Sequence, residues 1–127
     1  MRDAILMVLL SVVSVGAAAE WVKAGDNRIA TIYVDPGTIS KSGNIVKMWY
    51  LFDFKAAQSV RGMRLLSQKA QSEFDCQGER MRMLAFSYHP ANMGGGAPLY
   101  SVSDPDPWEP IPNPINQTTW EIACGRH

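Results

Sequence analysis

The stretch "SEFDCQGERMRML", residues 72–84, places a Gln-Gly pair between two runs of alternating character. With Gln77-Gly78 as the turn of a β-hairpin, Cys76 faces Glu79, Asp75 faces Arg80, Phe74 faces Met81 and Glu73 faces Arg82. A four-residue loop keeps the same register. Two opposite-charge pairs then share one face of the hairpin, where cross-strand partners attract. The other face carries Cys76, Phe74, Met81, Met83, Ala70 and Ala85. Charge and apolar pattern therefore support the same register. On this ground "MRLLSQKAQSEFDC", 63–76, is read as a strand, although Leu65, Leu66, Lys69 and Ala70 would tolerate a helix.

Outward from the hairpin, strand signals continue in both directions. Residues 29–35, "IATIYVD", are rich in β-branched and aromatic residues. "DPGTI" and "KSGN" (41–44) turn the chain. "IVKMWYLFDFK", 45–55, is the longest strand signal: Val46, Met48, Tyr50, Phe52 and Phe54 alternate on one face, and the mixed set on the other predicts partial cover. "AAQSVRG", 56–62, reads as a linker. "ERMRMLAFSYH" is a strand, "PANMGGGAP" a loop and "LYSVSD" a further strand. The proline-rich "DPDPWEPIPNP", 104–114, is a crossover that cannot be an internal strand; Trp108 and Ile111 give it something to pack. In "NPINQTTWEIACG", 113–125, Asn113 suits an N-cap, Pro114 the first helical position and Gly125 a terminator. Trp120 and Cys124, four apart, share a face of that helix. The expected fold is α+β, mainly β: an antiparallel sheet of about five to six strands, a C-terminal helix packed on it and one disulfide.

The N-terminus reads as a secretory signal. Arg2 precedes an apolar run of about 12 residues, Ala4 to Val15, too short to span a bilayer. Ala17-Ala18-Ala19 supplies small residues for cleavage before Glu20, so residues 1–19 are a leader and 20–127 a single domain. No cysteine follows the cleavage site, so no lipid anchor is expected, and no later stretch could span a membrane. The protein is exported, to the periplasm, the medium or the cell surface.

Export decides the role of Cys76. The chain has two cysteines, Cys76 and Cys124, and two thiols in an oxidising compartment most simply form a disulfide. A helix lying on the sheet would bring Cys124 onto Cys76. The closed loop of roughly 49 residues is worth about 4 kcal/mol in the chain-entropy model. Zinc needs about four ligands, and two distant cysteines with His89 and His127 show no ligand spacing. A thiol nucleophile would require a free Cys76 beside His89.

Twelve Lys and Arg balance twelve Asp and Glu, which points away from nucleic acid and leaves any charged partner to a local patch. "GGG" at 94–96 lacks the lysine and the strand-to-helix context of a phosphate loop and reads as a flexible hairpin. Asp104, Asp106 and Glu109 fall short of a calcium cage and read as turn residues. Arg80 and Arg82 are expected to pair with Asp75 and Glu73. The unpaired cations are then Lys55, Arg61 and Arg64, in a stretch without an acidic residue. They form the candidate binding patch for an acidic polypeptide.

"EW" after the leader, "YVDPGTI" at 33–39, "MWYLFDFK" at 48–55, "SEFDC" at 72–76, "YSVSD" at 100–104, "PWEPIPN" at 107–113 and "CG" at 124–125 come in an order that resembles the surface-adhesin E family of proteobacteria. The resemblance runs from Trp21 to Gly125. It implies a small antiparallel sheet with a packed helix, and the paired cysteines look like the family's disulfide. It also implies a non-enzymatic protein that binds host matrix or plasma proteins such as vitronectin and laminin. The missing lipid-attachment cysteine departs from the name-giving type and favours the periplasm or secretion. The alternative is a periplasmic structural or assembly protein with a bacterial envelope partner. No cofactor, metal or catalytic residue is expected.

Overall fold

The computed structural model describes residues 19–126, so the leader reading of residues 1–19 lies, except for Ala19, outside the described residues. Eight strands make one antiparallel sheet among them. They are β1 (Val22–Asp26), β2 (Ala30–Val34), β3 (Ser40–Ser42), β4 (Ile45–Val60), β5 (Met63–Asp75), β6 (Arg80–His89), β7 (Tyr100–Val102) and β8 (Glu109–Pro110). The order is β1-β2-β4-β5-β6-β7, with β3 beside β4 next to β2, and β8 beside β6 next to β7. One helix, α1 (Pro114–Ala123), closes the chain. The expected mainly-β sheet with a C-terminal helix is what the chain adopts. The strands beyond the expected five to six are the short edge pieces β1, β3 and β8.

The hairpin register is as expected: Asp75 faces Arg80, Phe74 faces Met81 and Glu73 faces Arg82, across a four-residue loop. Asp75 organises that loop. Its Oδ1 accepts from the backbone N–H of Gln77 (3.1 Å) and Gly78 (2.9 Å). One expectation fails further along. A bulge in β6 between Met83 and Ala85 shifts the pairing, so Phe86 rather than Ala85 faces Ala70. The extra residue returns the aromatic side chain to the core face, a displacement that single-strand alternation does not reveal.

The core lies between that face and α1. Ile32, Val34, Val46, Met48, Tyr50, Phe74 and Met81 meet Trp120 and Ala123 of the helix. Tyr50 is fully buried, and its hydroxyl pairs with Ser72 Oγ at 2.8 Å. Burial pushes its pKa up to about 12, the Ser72 hydrogen bond opposing. The helix is capped as its sequence predicts: Asn113 Oδ1 accepts from Asn116 N–H at 2.9 Å, Pro114 opens the first turn and Gly125 has a φ of 69°. Trp120 Nε1 donates to the Asp75 carbonyl at 2.9 Å. Cys76 and Cys124 are bonded, with Cα atoms 5.5 Å apart.

The second face of the sheet is partly covered, as its mixed composition implies, but by an unexpected element. The 90–98 segment does not project as a flexible hairpin. It folds back over β4 and β5 through a 3-10 turn, Asn92–Gly94. Asp53 Oδ1 accepts from Asn92 Nδ2 and Met93 N–H, both at 2.9 Å. Ser67 Oγ donates to Ala91 O (2.6 Å) and accepts from Gly94 N–H (2.8 Å). Gly94 has φ +71°, and a Cβ there would stand 3.3 Å from Leu51 Cδ1 and 3.2 Å from Lys69 Cδ. Only glycine lets the backbone lie this close with a left-handed φ. Leu51 and Leu65 are buried as a result.

Candidate binding surface

The sequence points to Lys55, Arg61 and Arg64 as free cations, and the fold separates them into two kinds. "AAQSVRG" is not a linker. β4 runs on to Val60, interrupted by a bulge between Asp53 and Gln58, and pairs Val60 with Met63 around a two-residue turn. Arg61 (φ 51°) and Gly62 (φ 79°) are both left-handed. That conformation matches the twist of a hairpin, and it costs a non-glycine residue about 1 kcal/mol or more. The turn therefore holds Arg61 at the tip of the longest hairpin, with Arg64 three residues on, opposite Ser59. Both are exposed, and neither makes an ion pair among the described residues.

Lys55 is not free. Its Nζ lies 2.6 Å from Asp26 Oδ1 of the edge strand β1, and this hydrogen bond holds the Asp26 carboxyl below the usual carboxylate range. The stretch lacks acidic residues in sequence, but the fold supplies one from β1. An exposed pair of this kind contributes little stability, yet the Asp26 charge offsets that of Lys55 towards a partner.

Arg80 and Arg82 are engaged as expected. Arg80 donates to Asp75 Oδ2 from Nη2 (2.8 Å) and Nε (3.2 Å), and Arg82 Nε donates to Glu73 Oε1 (2.7 Å). Arg80, followed by the loop N–H groups, keeps Asp75 ionised to lower pH than an ordinary aspartate. Both guanidinium groups also lie over the Trp108 ring, at 5.1 and 5.3 Å from its centroid. Trp108 thus pins the proline-rich crossover along β6, an aromatic–cation stack that a reading of charge pairs alone overlooks.

Groups with chemical potential are otherwise committed. Neither cysteine is free. Among the described residues no cluster of three or more His, Cys, Asp or Glu could hold a metal ion. No helix there is long and apolar enough to cross a membrane. His89 is buried under the 90–98 segment. Its Nδ1 lies 3.3 Å from the Gly96 carbonyl, which can only accept, so Nδ1 carries the proton and Nε2, 2.8 Å away, accepts from the Ser87 hydroxyl. Burial lowers the imidazole pKa, the Gly96 carbonyl opposing and Lys69 assisting. The unfolded state therefore binds the proton more readily. Stability from this group is complete above the unfolded value of about 6.5 and is lost as pH falls below it. Asp75 and Asp26 act in a lower window, since their stabilisation fades only as pH falls below about 4. A urea midpoint that falls between pH 7.5 and 5 in the wild type, and is flat over that range in His89→Gln, is the expected result. Equal slopes in the two proteins would exclude His89 as the group responsible.

Shallow concavities are present among the described residues; a small one of about 130 Å³ lies beside the disulfide, and two larger ones lie elsewhere. One, of about 260 Å³, lies on the second face and is lined by Trp21, Asp35, Thr38, Trp49 and Lys69 with Ala19. It is smaller than the roughly 300–1,000 Å³ of most ligand sites. The other, of about 430 Å³, lies between the start of α1 and the sheet.

An antiparallel sheet capped by one helix, with its two cysteines bonded and with Arg61 and Arg64 unpaired at a hairpin end, is the scaffold that the described residues form. The chain belongs to the surface-adhesin protein E family, whose model matches residues 21–125. Its fold is that of Haemophilus influenzae protein E. Crystal form II of that protein shares 12% identity with this chain at a TM-score of 0.56, covering 86% of this chain and 90% of that one. The selenomethionine form shares 12% at 0.53, covering 87% and 90%. No curated protein sequence matches the chain.

Proposed function

We propose that this chain is an exported, non-enzymatic binding protein that engages an acidic stretch of a polypeptide partner through Arg61 and Arg64, with Lys55 as a weaker third contact. The observation that carries the reading is the pair of exposed arginines, without counter-charge among the described residues, at the end of the β4–β5 hairpin, Arg61 in its turn and Arg64 three residues on in β5. Net charge is zero, so steering of a charged partner must come from such a local cluster. The family's description as a surface adhesin supports a host matrix or plasma protein as the partner. The absence of a cysteine after Ala19 supports release into the periplasm or medium, where an envelope protein is the competing partner. A non-enzymatic role is supported by the bonded Cys76 and by a His89 whose two nitrogens are both occupied.

The test compares two double variants on a purified partner captured from host serum or from the cell envelope. Arg61→Glu with Arg64→Glu is expected to slow association about tenfold and flatten its salt dependence while stability holds. Arg80→Ala with Arg82→Ala is expected to lower stability by about 1 kcal/mol or more, through the lost ion pairs and the uncovered Trp108, with binding kept. Equal binding by the two variants would overturn the assignment.

A further inference from the structure

With residues 1–19 removed as a leader, Glu20 is the first residue of the mature chain. The fold places that residue beside a carboxylate: its backbone nitrogen lies 3.4 Å from Asp35 Oδ2. The proximity follows from register. Val22 faces Val34, so the residues just before β1 run alongside the residue just after β2. In the uncleaved chain the Glu20 nitrogen is a neutral amide. Hydrolysis breaks its bond to the Ala19 carbonyl carbon. Water supplies a hydroxyl to that carbon and a proton to the nitrogen, and the new amine takes up the proton that the new carboxylic acid releases. The same nitrogen then carries a positive charge beside the same carboxylate.

Asp35 is ordered in advance for this charge. Its backbone N–H donates to the Trp49 carbonyl at 3.2 Å, and its carbonyl accepts from Thr38 Oγ1 at 2.7 Å. Its Oδ1 accepts from Gly37 N–H at 3.2 Å and so caps the Pro36–Thr38 turn. Oδ2 is left for Glu20. Among the described residues it accepts no other hydrogen bond, and Asp35 makes no ion pair. A carboxylate already fixed in place loses little freedom on pairing. Lys69 lines the same concavity as Asp35, yet it forms no ion pair with it. Lys69 opposes the arrival of a second cation, whereas the side chain of Glu20 itself favours it.

We propose that leader removal latches the start of the mature chain: the new Glu20 α-ammonium pairs with Asp35 and fixes the N-terminal end of β1. A hydrogen bond with both partners ionised is stronger than one from a neutral amide. β1 gains from such a hold. It is an edge strand paired with β2 alone and bulged between Lys23 and Gly25. Its Gly25 also seats α1, since a Cβ there would stand 3.0 Å from Ile122 Cδ1. Chain ends fray unless they are tied down. The inference rests on the reading of the chain as exported, but not on the arginine tip. A cation that gains a partner titrates higher. The latch is therefore complete below about 7.7 and is lost as pH rises through the raised value.

The protein is exported with its own leader, and its intact mass should show Glu20 as the first residue. Trace acetylation across a pH series then reads the titration of the α-amine. Its midpoint should stand above the ordinary value of about 7.7–8.0. Asp35→Asn should lower that midpoint by about half a pH unit, and about 1 M salt should shrink the difference. Asparagine keeps an Oδ1 for the Gly37 N–H and removes only the charge. A second variant carries one added alanine before Glu20, which moves the ammonium one residue away. Amide exchange in β1 should quicken about threefold in each variant, the factor that half a pH unit represents. Combining the two changes should add nothing further. A mature chain that begins elsewhere would overturn the proposal. So would an α-amine midpoint unmoved by Asp35→Asn, or equal exchange in the mature chain and the two variants.

Discussion

Cys124→Ser is expected to lower the free energy of unfolding by about 4 kcal/mol, the loop-closure value for the 48-residue separation of the two cysteines. Single domains of this size are commonly stable by only about 5–15 kcal/mol, so the loss is a large share of the total. The location of the bond adds to its weight. Cys76 sits in the loop between β5 and β6, where its N–H donates to the Asn44 carbonyl at 2.9 Å, and Asn44 Nδ2 donates to Gln77 Oε1 at 2.7 Å. That loop is therefore fixed to the β3–β4 turn, and the disulfide carries its rigidity to the end of α1. A helix of ten residues does not hold its shape alone. Without the bond, the last turn keeps only its packing. Urea unfolding of the oxidised wild type and of Cys124→Ser measures the difference. The denaturant slope should rise in the variant, because an uncrosslinked unfolded chain exposes more surface. A loss under about 1 kcal/mol with an unchanged slope would mean that the crosslink contributes little. Alkylation of the native protein without reductant should label neither cysteine.

The parts of the fold legible in the sequence are those constrained twice. The 72–84 hairpin can be read because its charges and its apolar residues ask for the same register, and both Asp75–Arg80 and Glu73–Arg82 form. The helix can be read because Asn113, Pro114 and Gly125 act on their own neighbours. Elements fixed from a distance cannot be read this way. Residues 56–60 look like a linker because small and polar residues dominate them, yet the ladder to β5 extends them into a strand, an override typical of sheets. β1, β3 and β8 are short, and their partners rather than their composition make them strands. The β6 bulge escapes because alternation within one strand carries no record of an inserted residue.

The candidate site divides in the same manner. Arg61 and Arg64 emerge by subtraction once the hairpin pairs are assigned, and no described residue reclaims them. Lys55 misleads because its partner, Asp26, lies on an edge strand with no clear signal of its own. Gly94 and its neighbours look like slack chain, since the hydrogen bonds from Asp53 and Ser67 that hold them come from strands far away in sequence. The groove under α1 is invisible for the same reason: β4, β5, β6 and the helix each contribute a fragment, and none carries a motif.

Trp120→Ala should cost about 4 kcal/mol, in the range for deleting a buried tryptophan. The ring is 3% exposed within the core cluster and is the largest side chain that the helix sends down. Its loss also strands the Asp75 carbonyl, which accepts from Nε1 at the base of the hairpin loop. Trp120→Phe separates the two contributions. It keeps most of the packing and should cost about 1–2 kcal/mol, chiefly for the missing hydrogen bond. Of the four tryptophans, Trp120 is the most deeply buried, so this variant should also lose the bluest part of the fluorescence emission. The decisive measurement combines it with Cys124→Ser. Trp120 and Cys124 are one turn apart and hold the same end of α1. If the helix docks as a unit, loosening it by one change leaves less for the other to remove. The double variant should then lose less than the two single losses together, by at least about 0.5 kcal/mol. Simple additivity would mean that the tryptophan and the disulfide act on the sheet independently, and that α1 does not dock as one body.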